Sequence, residues 1–531
     1  SNIRGLLNYQ ANNAQAESYT DKQVKKYIRK KPAALQKWTQ KHSSDESGYE
    51  SALERQARYL MAKQAKKKTR VNSIEGIKRL NDYELRIYTT GYDSRFEEKL
   101  QIPICPLHYY GDTTKYSYNA NKFGFKRGDL SAIRANKSSP VGAGAYRFVK
   151  YDSGIAYFMA NELYYQGCPK ITYVQLKDLT KLFKEDLTGA KLAEEMKGQT
   201  VDVASLALTQ SDLEAIGEIN GNGKMSGNEI NTCQSANASY AYWGLNPYRV
   251  CINNEPFSEQ SAALRHAIAM VVSACRGVQM ETEGAKLTSV NAQAAKDSWL
   301  SPEQPNEDKL CYAETPDGKE QIYKTDDAVD QKREEAQQTA LKWLEKAGYT
   351  VEDGKVTAAP AGAKTLFSME LAGGTDTVGY QLATAVASDL QGIGITIQIH
   401  TTTVDKLNKK VANLRRGNVF AKKSSIALWY AEEEMSSNPD LAERFAFLEN
   451  AELMKAINKS DQTINKEKQK KWTQKAFDEI YAMIVEVPVH QKSTTMLYSS
   501  SRIRSKSMTK NTTMFYSWMR EIQNIDMKAE N

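Results

Sequence analysis

The sequence predicts an α/β protein of more than one lobe, and three observations carry that expectation. A chain of 531 residues is longer than a single hydrophobic core normally fills. From Tyr380 to Ile399 a helical stretch, a break at Gly392-Ile393-Gly394 and an alternating run follow one another, the order of parts in an α/β layer. From Tyr146 to Val174 short alternating runs and glycine turns mark a small sheet of three strands. With 40% hydrophobic and 26% charged residues the composition is that of an ordinary globular protein, which excludes a disordered or fibrous chain.

The net charge of +8 is concentrated at one end. Residues 1–70 hold sixteen Lys or Arg against six Asp or Glu, so the remainder is close to neutral. The densest run, Lys63 to Arg70, reads as a solvated helix end and linker rather than a nucleic-acid surface, because no aromatic residues are interleaved with it. Helices are expected over Asp21–Lys31, ended by Pro32, and over Ser51–Gln64, where Leu53, Ala57, Leu60 and Met61 share a face. A hairpin follows, with Ile77–Leu80 and Tyr83–Tyr88 on either side of a turn at Asn81-Asp82.

The next motif is Pro140-Val141-Gly142-Ala143-Gly144-Ala145-Tyr146, a glycine turn that opens the first of three strands at Tyr146–Lys150, Ile155–Met159 and Ile171–Val174. Between the second and third lie Asn161, Tyr164-Tyr165, Gly167 and Pro169-Lys170, and the third opens with Ile171. In order and spacing these parts resemble the family 5 extracellular solute-binding proteins, the oligopeptide and dipeptide receptors of ABC importers. That family has a P-(V/I)-G-T-G-P-(Y/F) turn followed by N-x-x-Y-W-G-x-x-P-x-I; here Ala143 and Ala145 stand for Thr and Pro. The resemblance implies a fold like the type II periplasmic binding proteins, with two lobes joined by a two-strand hinge. It begins near residue 73, and on this reading the family's N-terminal portion, which supplies early strands of the first lobe, is missing upstream. Residues 1–72 are then expected to be a basic helical insertion on the first lobe, 73–251 part of the first lobe, 252–490 the second, and 491–531 the return to the first.

Further along, helices are expected at Thr188–Met196 and Ser211–Ile219 with a strand at Val201–Val203. The loop Glu218–Glu229 invites comparison with a calcium-binding loop, since Glu218, Asn220, Asn222 and Glu229 fall at its first, third, fifth and last positions. Neutral amides replace carboxylates and no apolar helix follows, so the expectation is a Gly/Asn-rich surface loop and no metal site. Tyr242-Trp243-Gly244 and Val250–Asn253 read as strand material, and Leu264-Arg265-His266-Ala267-Ile268, similar to the family's V-R-x-A-(I/L), opens a helix. Arg265 is expected to pack structurally and His266 to lie on the helix surface. Helices at Thr325–Ala347, Val404–Arg416 and Trp472–Ile484 follow; Leu344–Tyr349 is similar to the family's L-x-x-A-G-(Y/F), and Val485–His490 resembles its return crossing.

The segment from Ser425 to Phe445 is where the resemblance puts ligand. A short strand, Ile426–Trp429, runs into an acidic and aromatic loop. Peptide-binding members carry a G-W-x-x-D run and a D-P or N-P element here, the Asp receiving the peptide's α-ammonium. The resemblance therefore implies ligand contacts at Trp429, Tyr430, Glu432, Glu433, Asn438 and Asp440. Glu432 holds the amine-binding position, with Glu433 or Glu434 as alternative carboxylates, and Trp429 and Asn438 shape the cleft.

Against catalysis, the chain has no G-x-S-x-G elbow, phosphate-binding loop or H-E-x-x-H, and its 5 histidines are scattered. The 6 cysteines, 105, 168, 233, 251, 275 and 311, show no C-x-x-C spacing, and their pairing stays open. The expectation is a binding protein rather than an enzyme, with no cofactor and no nucleic-acid partner. It is a monomer that captures short peptides by closing two lobes and delivers them to the permease subunits of an ABC importer. Relatives that bind nickel chelates or oligosaccharides with the same fold, and a non-transport envelope role suggested by the basic segment, are the alternatives. No run reaches the roughly eighteen apolar residues of a membrane span. The chain begins Ser1-Asn2-Ile3 without Met; the expected protein is extracellular or periplasmic, a lipoprotein whose lipidated N-terminus lies outside these residues.

Overall fold

In the computed structural model the described residues are 3–41, 49–92, 96, 100, 102–120, 122–126, 128–136, 140–179, 181, 187–237, 239–283, 287–295, 298–301, 311–322, 327–375, 377–434, 441–510, 512–513 and 516–529. The N-terminal part is helical: α1 (Leu6–Ala11), α2 (Asp21–Arg29), α3 (Ala33–Lys41) and α4 (Tyr49–Gln64). Thr20 starts α2 through a capping box with Gln23, each side chain meeting the other's backbone N–H. Pro32, expected to end a helix, also stands just before α3, where a missing N–H costs nothing. Val24, Leu35, Leu53 and Ala57 pack into a small core of their own.

The glycine turn leads into a three-stranded antiparallel sheet of β1 (Tyr146–Asp152), β2 (Ile155–Ala160) and β3 (Tyr173–Lys177). Asn161 ties turn to sheet, its side-chain amide donating to the Gly144 carbonyl at 2.9 Å, and the Tyr146 hydroxyl donates to the Ile171 carbonyl at 2.9 Å. These residues of the opening motif are thus spent on architecture.

Beside a small hairpin at 350–358, the remaining chain builds two sheets that share a strand. Their elements are α5 (Gly189–Lys197), β4 (Val203–Leu206), α6 (Gln210–Ile219), β5 (Ile230–Ala236), β6 (Ser239–Leu245), α7 (Glu259–Glu283), β7 (Leu287–Ser289) and α8 (Val329–Lys346). Then come β8 (Leu366–Ala372), α9 (Val378–Gly392), β9 (Thr396–Thr402), α10 (Val404–Arg415), β10 (Leu428–Glu434), α11 (Ala451–Asp461), α12 (Lys466–Met483) and β11 (Glu486–Ser499). The larger sheet runs β7-β11-β6-β10-β8-β9. β8 pairs in parallel with β9 and with β10, whereas β6 is antiparallel to both β10 and β11. As expected, α9 is followed by a break and then β9, the chain leaving the helix through Gly394 at φ +90°, a value that favours glycine; β8, which precedes the helix, was not anticipated.

β11 is the connecting element. Its first half, up to Lys492, pairs with β6 and β7; from Ser493 onward it pairs with β4 and β5. β5 and β6 make the same passage beside it, separated only by residues 237 and 238. Strand partners therefore change at 237–238 and 492–493, the first of these ahead of the division expected at 251.

The larger sheet is buried on both faces, and alternation sorts its side chains. Ala241, Trp243 and Leu245 of β6 join Leu264, Val272, Leu382 and Met369 under α7 and α9, while Tyr240 and Tyr242 join Phe445, Leu453, Phe477 and Ile480 under α11 and α12. Arg265 is buried, as expected, and donates to the carbonyls of Met483, Val250 and Pro256 at 3.0, 3.2 and 2.7 Å. His266 departs from expectation. It is buried rather than on the surface, stacked on Trp343 at 3.9 Å, because α7 is covered by α8 on the side that the isolated pattern leaves open. All six cysteines are unpaired.

Candidate functional site at the sheet junction

β10 carries Trp429, Tyr430 and Glu432 to the junction of the two sheets, and strand alternation divides them. Leu428, Tyr430 and Glu432 lie on one face, Trp429 and Ala431 on the other. Trp429 is only 3% exposed. Its indole N–H donates to the Tyr242 hydroxyl at 3.2 Å, and its ring fills the space over Gly244, where a Cβ would stand 2.1 Å from a ring atom. Glycine in the middle of β6 is explained by that ring. Trp429 and Tyr430 thus address opposite sides of the sheet.

Tyr430 packs against Gly379 in the first turn of α9, and its hydroxyl lies 3.3 Å from His490 Nε2. Burial, with the charge of Glu432 adding to it, pushes the phenol pKa well up, so the hydroxyl stays protonated. His490 sits on β11, paired with Ala241. Burial first, then the charges of Lys492 and Arg276, hold its imidazole down at about 3, so the ring is neutral. Its Nδ1 has no hydrogen-bond partner among the described residues.

Among the described side chains of the expected set, Glu432 is the one that reaches solvent. Its carboxylate forms an ion pair with Lys492 Nζ, the two side chains 40% and 39% exposed. Lys492 is the last β11 residue before its partners change, so this pair stands at the passage between the sheets. Asn237, at the other passage, ties the two together: its N–H donates to the Lys492 carbonyl at 2.8 Å, its Oδ1 accepts from Thr494 Oγ1 at 2.7 Å, and its carbonyl accepts from Gln491 Nε2. Sequence reasoning missed Asn237, His490 and Lys492; the Val485–His490 crossing was the signal that pointed to their strand.

A buried charge anchors the same strand from below. Arg444 Nη2 lies 2.7 Å from Glu486 Oε2 and donates to the Tyr240 hydroxyl at 2.8 Å, while that hydroxyl donates to Glu486 Oε1 at 2.5 Å. On the other face Arg276 donates to the carbonyls of Val290 and Pro488 at 2.7 and 3.0 Å. The start of β11 is therefore held by two buried guanidinium groups.

Of the other expected residues, the Glu433 backbone pairs with Tyr240, its side chain being outside what is described; Asn438 and Asp440 also lie outside the described residues. In the Glu218–Glu229 loop the amides serve the loop itself. Asn220 donates to the Lys224 and Ile230 carbonyls at 3.0 and 3.1 Å and accepts from the Ile230 N–H, and Asn222 bonds Lys224 and Ser226. This arrangement is that of a closed turn leading into β5, a strand the sequence reading did not anticipate. Among the described residues no group of three His, Cys, Asp or Glu is arranged to hold a metal.

Comparison with known proteins bears on most of the chain. The family model for bacterial extracellular solute-binding proteins, family 5 Middle, matches residues 23–432. No curated protein matches at the sequence level. Among solved structures, the oligopeptide-binding protein AppA from Bacillus subtilis, in complex with a nonapeptide, is 14% identical over 86% of this chain and 78% of its own, with a TM-score of 0.50. The ABC transporter substrate-binding protein CtaP from Listeria monocytogenes is 13% identical over 85% and 77%, with a TM-score of 0.55. NikZ from Campylobacter jejuni, in complex with Ni(L-His), is 16% identical over 85% and 79%, with a TM-score of 0.51. At these identities the likeness is one of fold. Among the described residues no helix is long and apolar enough to cross a membrane.

Proposed function

Because the chain belongs to the family 5 bacterial extracellular solute-binding proteins and has the fold of type II periplasmic binding proteins, we propose that it captures short peptides between its two sheets. The observation that carries this reading is the Glu432–Lys492 ion pair at the passage between the sheets. Glu432 receives the peptide's ammonium in place of Lys492. Exchange is inexpensive, since a half-exposed ion pair contributes only about 0.2–1 kcal/mol. An ammonium shielded by lobe closure is bound far more strongly than one in water. The lobes divide at 237–238 and 492–493, and closure is a population shift driven by contacts that exist only in the closed form. Trp429 supports Glu432 from within the sheet, and Tyr430 positions its face of β10; Glu433, Asn438 and Asp440 extend the site along the same segment. The protein acts outside the cytoplasmic membrane as a monomer and passes its ligand to permease subunits.

The test is calorimetric titration with pools of peptides of two to nine residues, beside Ni(L-His) and an oligosaccharide pool. Saturable binding of peptides is expected, weakened about tenfold or more in Glu432→Gln, the loss of one charge-assisted contact. Thermal stability of that variant should change by less than about 1 kcal/mol. Equal affinity in Glu432→Gln, or binding of the nickel complex or sugars alone, would sink the assignment.

A further inference from the structure

Beyond the N-terminal segment the positive charge gathers in one place. Residues 404–423 hold seven Lys or Arg against one Asp, a net +6, in a chain that past residue 70 is otherwise acidic. They form α10, a turn at Arg416-Gly417 and a short helix at Asn418–Lys423. One side of this unit is core: Leu407, Val411, Leu414 and Ala421 are buried in the cluster beneath α11 and α12. The other side is in solvent. Periodicity sends Lys406, Lys409 and Asn413 of α10 outward, and all three are exposed, as are Lys422 and Lys423 of the short helix. Three apolar side chains stand beside these cations: Val404, Val419 and Phe420 are 61%, 56% and 43% exposed.

The fold uses some of these cations itself. Lys410 pairs with Glu370, Arg415 donates to the Tyr242 hydroxyl at 2.9 Å, and Arg416 donates to Asn413 Oδ1 at 3.3 Å. Lys422 Nζ lies 5.3 Å from the centre of the Tyr248 ring, a contact that leaves its charge uncompensated. Among the described residues Lys406, Lys409, Lys422 and Lys423 form no ion pair. Surplus cations call for an anionic partner, and the apolar side chains among them narrow its class. A nucleic acid would have to be met by stacking aromatics, which this stretch lacks apart from Phe420. An anionic bilayer satisfies both features, because its headgroups attract the lysines and its acyl boundary takes up the apolar groups.

We propose that residues 404–423 are a docking surface for a bilayer rich in anionic phospholipid. Lys406, Lys409, Lys422 and Lys423 meet the headgroup phosphates, and Val419 and Phe420 enter the boundary with the acyl chains. The surface shares no residue with the Glu432–Lys492 pair, so docking and ligand capture are separate properties of the molecule.

The test is cosedimentation with vesicles of phosphatidylcholine alone and of phosphatidylcholine and phosphatidylglycerol in equal parts. The protein should pellet with the mixed vesicles, stay in solution with phosphatidylcholine, and be released as salt is raised. The combined variant Lys409→Glu, Lys422→Glu, Lys423→Glu should bind about tenfold or more weaker, through loss of the charge attraction. Phe420→Ser should bind about threefold or more weaker, through loss of an inserted ring. Residues 1–70 are basic as well, so Lys66→Gln, Lys67→Gln, Lys68→Gln is the control and should bind as the wild type does. Amide hydrogen exchange of the wild-type chain gives a readout independent of how any variant folds: mixed vesicles should slow exchange over residues 416–423. No cosedimentation, equal binding to phosphatidylcholine alone, or full binding by the Lys409, Lys422, Lys423 variant overturns the inference. So does unchanged exchange over 416–423, or binding of a single-stranded DNA oligonucleotide but not of vesicles.

Discussion

Two buried histidines give the protein an acid limit. His266 and His490 are both held near 3 from an ordinary value of 6.5, chiefly by burial, with Lys346 adding to the effect on His266. Their folded-state values are depressed, so the folded protein keeps both rings neutral while the unfolded chain protonates them. Their contribution is fully present above pH 6.5 and declines as pH falls toward 3. From pH 6.5 to about 5, mostly above the range where carboxylates titrate, each ring should cost about 2 kcal/mol of stability. Urea unfolding at those two pH values checks this, and the difference should shrink in His490→Asn. The sequence disclosed these residues but not their state: burial of His266 follows from the ring of Trp343, far along the chain, and that of His490 from its place on a central strand.

At the scale of elements, β11 depends on charges it buries. Removing one partner of Arg444 and Glu486 leaves the other uncompensated in the core, at a cost of about 3–5 kcal/mol. Arg444→Met and Glu486→Leu should each show that loss in urea unfolding, and the double variant should lose less than either alone. A double variant at least as unstable as the sum would show that the pair is not coupled. Local patterns were legible in the sequence where side-chain periodicity and caps act within one element. The α9–Gly394–β9 unit and the helix expected at Ser211–Ile219, seen as α6, both follow from neighbouring residues. β5 and α11 were not anticipated. The Ile230–Ala236 run is mostly polar and is made a strand by its ladder with β11, whose residues lie far downstream.

For the whole molecule, the two adjacent passages at 237–238 and 492–493 leave Asn237 as the tie between them. Closure about this tie should lower the radius of gyration in small-angle scattering when a bound peptide saturates the protein. A ligand that binds tightly without that change would mean that the sheets do not move. The family was legible from the Pro140–Tyr146 turn and the Leu344–Tyr349 helix end because tight turns demand particular residues. The placement of the expected site residues was less so: Trp429 and Tyr430 are adjacent in sequence yet face opposite cores, a consequence of strand geometry that a motif read as a string does not convey.

β11 also sets the order in which the molecule can come into being. It lies between β6 and β7 in one sheet and between β4 and β5 in the other, yet it is synthesised after every one of those neighbours. A ribosome releases the chain from its N-terminal end, so until Glu486–Ser499 emerges both sheets lack an interior strand: β4, β5 and β7 are without the strand they pair with, and β6 has β10 alone. Completion of the two sheets thereby waits on one late strand.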